Sequence, residues 1–122
     1  MSLCGIFDTH AHYDDAAFNE DRDTLLQTLP QKGVCAVLDC GTNVASSRSA
    51  VALAQTYDYV YAAVGIHPED AANVTDDDFN ALLPLYREEK VVAVGEIGLD
   101  YHWEKDSERR LLQQKIFIAQ LD

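Results

Sequence analysis

The chain has 122 residues and a mass of 13.6 kDa, with 48% hydrophobic and 25% charged side chains. That balance excludes a disordered or fibrous chain, and two independent cores would each be too small at this length, so a single domain is expected. Nine Lys and Arg against 21 Asp and Glu leave a formal charge of −12, which excludes a general DNA-coating protein but not an enzyme whose divalent cations reverse the field locally.

No apolar run approaches the roughly 20 residues of a membrane span. The N-terminus lacks the basic start and long apolar stretch of a secretory signal, and Met1-Ser2-Leu3 is given no role. Cys4, Cys35 and Cys40 form no CxxC pair, and their odd number leaves no complete disulfide framework. Cys35 and Cys40 lie in or beside apolar runs, where a thiol behaves as a small hydrophobe. A reducing cytoplasm is the expected location.

In chain order, short β-branched runs at Ile6-Phe7, Val34 to Leu38, Val60 to Val64 and Val91 to Val94 predict four buried strands. Their starts lie about 25 to 30 residues apart, the length of a strand, a helix and two loops. Between them come helices. The first is capped by Asn19, turns Leu25, Leu26 and Leu29 inward and ends at Gly33. The second opens at Thr42 or Asn43 with Val44, Val51 and Ala54 inward. Thr75 caps the third, ahead of Asp76 to Asp78, with Phe79, Leu82 and Leu83 buried. Ser107 opens the fourth, whose apolar positions are Leu111, Ile116, Phe117 and Leu121. Pro30 and Pro84 bend or end the helices that contain them. Four βα units imply a parallel sheet with helices outside, either an open doubly wound sheet or part of a closed barrel.

Each strand is followed by residues capable of chemistry: Asp8-Thr9-His10-Ala11-His12, Asp39-Cys40-Gly41-Thr42, Gly65-Ile66-His67-Pro68 and Gly95-Glu96-Ile97-Gly98-Leu99-Asp100-Tyr101-His102. In parallel α/β architectures the C-terminal strand ends share one rim, where ligands bind. His10 and His12, two apart on an extended segment, face the same way and can share one divalent ion. Glu96, after an apolar strand and between Gly95 and Gly98, is poorly solvated unless it meets a cation or a donor. A salt bridge to an Arg from a neighbouring unit is the competing reading. Asp100 orients a histidine, anchors its loop or caps the next turn. His67 contacts an anionic oxygen, polarises a leaving group or bonds a backbone group. Trp103 lines a substrate cleft or packs as a lid, and Cys40 reads as an inert thiol.

Together, Phe7-Asp8-Thr9-His10-Ala11-His12, Gly65-Ile66-His67-Pro68 and Gly95-Glu96-Ile97-Gly98-Leu99-Asp100-Tyr101 resemble the TatD family of metal-dependent hydrolases, from about Gly5 into the last helix. The resemblance implies a TIM-like (β/α) barrel of the metal-dependent hydrolase type. Residues 1–122 would form the N-terminal half of one such domain, about its first four βα units, without an internal boundary. It implies 3′→5′ exodeoxyribonuclease activity on DNA, with single-stranded ends as substrate and no membrane partner. Two divalent ions (Mg, Zn or Mn) are implied, with His10, His12 and Glu96 as metal ligands, Glu96 bridging. Glu96 and Asp100 would be catalytic, with His67 at the substrate. Family members carry two further histidines and an aspartate in a second half, and nothing downstream of Glu96 replaces them here. The implied activity therefore needs that half. Two other readings are a hydrolase of a small ester, amide or lactone, and a non-catalytic half-barrel that self-associates or pairs with a complementary half.

Overall fold

The computed structural model describes residues 5–122; Cys4 and the Met1-Ser2-Leu3 segment lie outside the described residues. Four strands, β1 (Ile6–Ala11), β2 (Val34–Cys40), β3 (Val60–Val64) and β4 (Val91–Val94), form one parallel sheet in the order β1-β2-β3-β4. The helices that follow them are α1 (Arg22–Thr28), α2 (Val44–Thr56), α3 (Asp76–Leu82) and α4 (Ser107–Leu121). Neighbours in space are neighbours in sequence, the arrangement of a (β/α) barrel wall; a doubly wound sheet reverses its strand order. The fold is thus a partial TIM-like barrel of four βα units.

Side chains at helix starts set the boundaries. Asn43 accepts the Ser46 N–H while Ser46 Oγ accepts the Asn43 N–H, and Thr75 and Asp78 repeat this reciprocal cap on α3. Asp106 caps α4 by accepting from the Arg109 N–H. Asn19 does not cap α1. Asp15 starts a short 3-10 turn over Ala16–Phe18, and the Asn19 side chain instead accepts from Arg22. α1 stops at Thr28, before Pro30, and Gly33 closes the following turn at φ 96°. α3 likewise stops short of Pro84.

The core lies between sheet and helices, where Leu26, Val37, Val51, Ala54, Val60, Val64 and Leu82 are buried. Only the middle strands are buried as expected. β3 is almost wholly enclosed, whereas β1 and β4 flank the sheet, with Phe7 54% and Val92 59% exposed. On β4, Val91 packs against the core and Val92 and Val94 face away from it. Leu83, Leu111 and Leu121, expected inside, are exposed, and so is Cys35. A cavity of about 540 Å³ borders this apolar surface between β4, α3 and the end of α4, among Phe79, Leu83, Tyr86 and Val92. No helix among the described residues is long and apolar enough to cross a membrane.

Two contacts tie the later units together. Lys90, just before β4, donates from Nζ to the Ala54, Tyr57 and Asp58 carbonyls, capping the end of α2. On α4, Gln113 bonds both the N–H and C=O of Asp100, and Gln120 does the same for Ile66.

Close approach at the strand ends requires glycine at two positions. A Cβ on Gly41 would sit 2.2 Å from Ser47 Oγ and 2.6 Å from its Cα, and one on Gly65 would sit 2.8 Å from the Gly95 carbonyl carbon. A Cβ on Gly95 would meet only Ala63 Cβ, at 3.6 Å. Gly41→Ala should therefore force backbone movement and lower stability by about 1–3 kcal/mol, read as a lower urea midpoint with unchanged slope.

Candidate metal centre

β1 runs to Ala11, further than the Ile6-Phe7 run indicates, so His10 lies within the strand and His12 one residue past it. The i, i+2 spacing turns both imidazoles to one side. Their Nε2 atoms are 3.1 Å apart. Glu96, two residues beyond β4, reaches across the rim and places Oε1 3.1 Å from His10 Nε2 and 2.8 Å from His12 Nε2. Its backbone N–H donates to the Gly41 carbonyl at 2.6 Å, which fixes the height of the β4 end against the β2 end.

The donor set fits a divalent ion. Nδ1 of His12 lies 2.9 Å from the Cys40 carbonyl, an acceptor only, so the ring proton sits on Nδ1 and the Nε2 lone pair faces Glu96. Two imidazoles and a carboxylate offer three ligand atoms within 4.8 Å of one another. Ligands bound to a common zinc at about 2.0–2.1 Å would themselves stand roughly 3 Å apart, the spacing seen here. The Glu96 side chain is only 22% exposed and meets imidazoles rather than an arginine, so the alternative Arg pairing is not realised.

Other rim residues take different places. His67 Nε2 is 3.8 Å from Glu96 Oε2, while its Nδ1 accepts the Glu69 N–H, which leaves the ring proton on Nε2. A recess of about 220 Å³ opens here, lined by Thr42, His67, Glu69, Asp70 and Glu96. Asp100 is outside the triad: its Oδ1 accepts the His102 and Trp103 N–H groups and closes the turn of its own loop. Trp103, in edge contact with His102, is 74% exposed beside a second recess shared with Pro68, Glu69, Asp100 and Arg109. Cys40 is buried, and burial pushes its thiol up to about 11, as suits an inert thiol.

Asp39, near the end of β2, carries no individual role in the sequence reading. It is fully buried, and Oδ1 accepts the Tyr13 N–H at 2.6 Å. Its Oδ2 and the Oδ1 of the neighbouring Asp14 are buried without a hydrogen-bond partner. Burial, opposed in part by the Tyr13 N–H and reinforced by the Asp14 charge, pushes Asp39 up from 3.8 to about 7. Burial also raises Asp14. A carboxyl in an otherwise apolar strand reads from sequence as a loop residue; only its neighbour in space, the Tyr13 backbone, reveals its use.

Four parallel βα units with two histidines and a carboxylate at the C-terminal rim have the layout of a metal-dependent hydrolase barrel. The family model "TatD related DNase" matches residues 7–122, and the chain belongs to that family. Relatives include the uncharacterized metal-dependent hydrolase YabD of Bacillus subtilis, 34% identical over 93% of this chain and 46% of its own length. The 3'-5' ssDNA/RNA exonuclease TatD of Pectobacterium carotovorum is 33% identical over 95% of this chain and 44% of its own length. The crystal structure of the TatD homologue YjjV of Escherichia coli superimposes with a TM-score of 0.83 at 36% identity, covering 97% of this chain and 46% of that one. The chain thus spans about half the length of the relatives it matches.

The Asp39 shift predicts a pH dependence with a definite sign. Between the ordinary 3.8 and about 7 the folded chain holds a proton that the unfolded chain has lost. The associated stability is complete below the unfolded value and disappears as pH rises through about 7. In chelator, the melting temperature should fall between about pH 5 and pH 8, and Asp39→Asn, which mimics the protonated acid, should flatten that fall.

Proposed function

We propose that this chain carries the metal-binding portion of a TatD-type hydrolase that removes nucleotides from the 3′ ends of single-stranded DNA. The observation that carries the reading is the convergence of His10, His12 and Glu96 on one small volume at the strand ends. The 3'-5' ssDNA/RNA exonuclease TatD of Pectobacterium carotovorum, a relative of this chain, supports the substrate class.

In this reading His10, His12 and Glu96 would hold a divalent ion. The other Glu96 oxygen, 3.8 Å from His67 Nε2, would leave the carboxylate a donor for a second ion. Bound divalent ions supply an acidified water and neutralise charge that develops on the phosphate. Mg, Mn and Zn are all compatible with a mixed imidazole and carboxylate set. His67, with its proton on Nε2, donates to a phosphate oxygen. Asp100 is the proposed proton acceptor: Oδ1 holds its loop, while Oδ2 has no protein hydrogen-bond partner among the described residues. The loop itself is stiff, because Arg110 donates to the Tyr101 and Glu104 carbonyls and Gln114 to the Tyr101 hydroxyl. Trp103 is thereby presented as a rigid face for a nucleobase, at little ordering cost.

The recess beside Glu96 has no apolar side chain in its lining, which favours a phosphodiester over a small apolar ester, amide or lactone. Activity by this reading requires the rest of the barrel, with the further ligands that the family resemblance implies. The exposed apolar surface of β1 and β4 supports a covering by further units, whether in the same chain, a complementary chain or a second copy.

The test is 3′-end digestion of 5′-labelled single-stranded DNA by a protein carrying this chain with the rest of the barrel. His10→Ala and His12→Ala should each lower metal-dependent kcat/KM by at least about 100-fold; unchanged cleavage would overturn the assignment. Trp103 is the single tryptophan of these 122 residues, so once any tryptophan in the rest of the barrel is replaced by phenylalanine, intrinsic fluorescence should be quenched as an oligodeoxythymidine binds. Binding seen by anisotropy without quenching would remove Trp103 from the substrate path.

A further inference from the structure

The register of β1 against β2 sets Ala11 beside Asp39, so the chain leaves β1 directly alongside the end of β2. Two bonds then cross the gap in succession. The imidazole of His12 donates from Nδ1 to the Cys40 carbonyl at 2.9 Å, and the next backbone N–H, that of Tyr13, donates to Asp39 Oδ1 at 2.6 Å. Adjacent residues on one strand end thus bind adjacent residues on the other. The segment has further restraints: Arg22 donates to the Tyr13, Asp14 and Asp15 carbonyls. Those fix the loop from its outer side. Asp39 alone among these groups reaches the first peptide after His12 from within the sheet.

We propose that Asp39 is a positioning residue for the metal-binding imidazole of His12: its buried carboxyl holds the His12–Tyr13 peptide so that the ring keeps its bond to the Cys40 carbonyl and turns Nε2 toward Glu96. This rests on the metal-centre reading given above. A strand end without such a side chain would leave the Tyr13 N–H unpaired against a buried surface, and the segment would have to move to find water or another acceptor. Movement there rotates the imidazole, and the triad loses the alignment of one of its three donors. A fully buried carboxyl is costly to keep in a strand, and Asp39 spends that cost on the single peptide bond that sets the direction of a ligand.

Asp39→Asn preserves an acceptor for the Tyr13 N–H. Asp39→Ala removes it, and Asp39→Leu removes it while filling the space. All three are made in a protein that carries this chain with the rest of the barrel. Two quantities are measured: zinc affinity by isothermal titration, and the protonation pattern of the His12 ring nitrogens by long-range proton–nitrogen NMR in the metal-free chain. The Asn variant should bind zinc within about twofold of the parent and keep the proton on Nδ1. The Ala and Leu variants should bind at least about tenfold more weakly, with the His12 ring released to a mixture of tautomers while the Trp103 and Tyr59 signals stay in place. If the Ala variant does not fold, the Leu variant decides. Parent-like zinc affinity together with a parent-like His12 ring in the Leu variant would overturn the proposal, as would equal losses in the Asn and Leu variants. If the parent binds no zinc, the metal-centre reading fails, whereas the His12 ring signals still decide whether Asp39 orients that side chain.

Discussion

One carboxylate oxygen facing two imidazole nitrogens is the interaction on which the rest of the rim depends. Glu96 Oε1 lies within 3.1 Å of both His10 and His12, although 86 residues separate Glu96 from His10. Parallel pairing makes that meeting possible, because every strand of a parallel sheet delivers its C-terminal end to the same edge. The backbone then sets the height. Gly41 donates to Ala63 and accepts from Glu96, so the ends of β2, β3 and β4 are joined through one residue that has no side chain to obstruct them. Substituting that residue, or moving any one strand end, would separate the ligand atoms before it unfolded the sheet.

The electrostatics of the chain follow from the same cluster. A net charge of −12 would oppose a polyanionic substrate, yet the acidic side chains are not distributed at random. Asp76, Asp77 and Asp78 sit in the first turn of α3, where they complement the positive helix end. Asp15, Asp78 and Asp106 cap turns or helices. Asp39 is buried and accepts the Tyr13 N–H, and one oxygen of Asp14 is buried near it. Much of the negative charge therefore has a structural duty, and the local field at the rim is decided by what occupies the triad.

The sequence made the four strands, the alternation of helices and the three triad residues legible, because each depends on a short-range pattern: a β-branched run, a cap, an HxH spacing, a carboxylate directly after an apolar strand. What it concealed depends on partners distant in sequence. β1 reads as two residues because Asp8, Thr9 and His10 look like loop, whereas pairing with β2 keeps them extended. Leu83, Leu111 and Leu121 follow helical periodicity and were expected inside, but no element among the described residues covers them. Asn19 has the right side chain for a cap and lies too early for α1, whose start is set by the clamp that Arg22 places on the preceding loop. Asp39 was recognisable as a strand-end residue and not as a buried one. Its partner is the Tyr13 backbone, which no side-chain pattern reports.

The paired glutamines of α4 carry a mechanical consequence. Gln113 and Gln120 lie seven residues apart, about 10 Å along one helical rod, and each grips a single residue by both its N–H and its C=O, one at Asp100 and the other at Ile66, just before His67. A carboxamide gripping a peptide in this way imitates the edge of a neighbouring strand. Two loops from different βα units are consequently yoked to one rigid beam, so a slide or tilt of α4 cannot reposition one of them without carrying the other along.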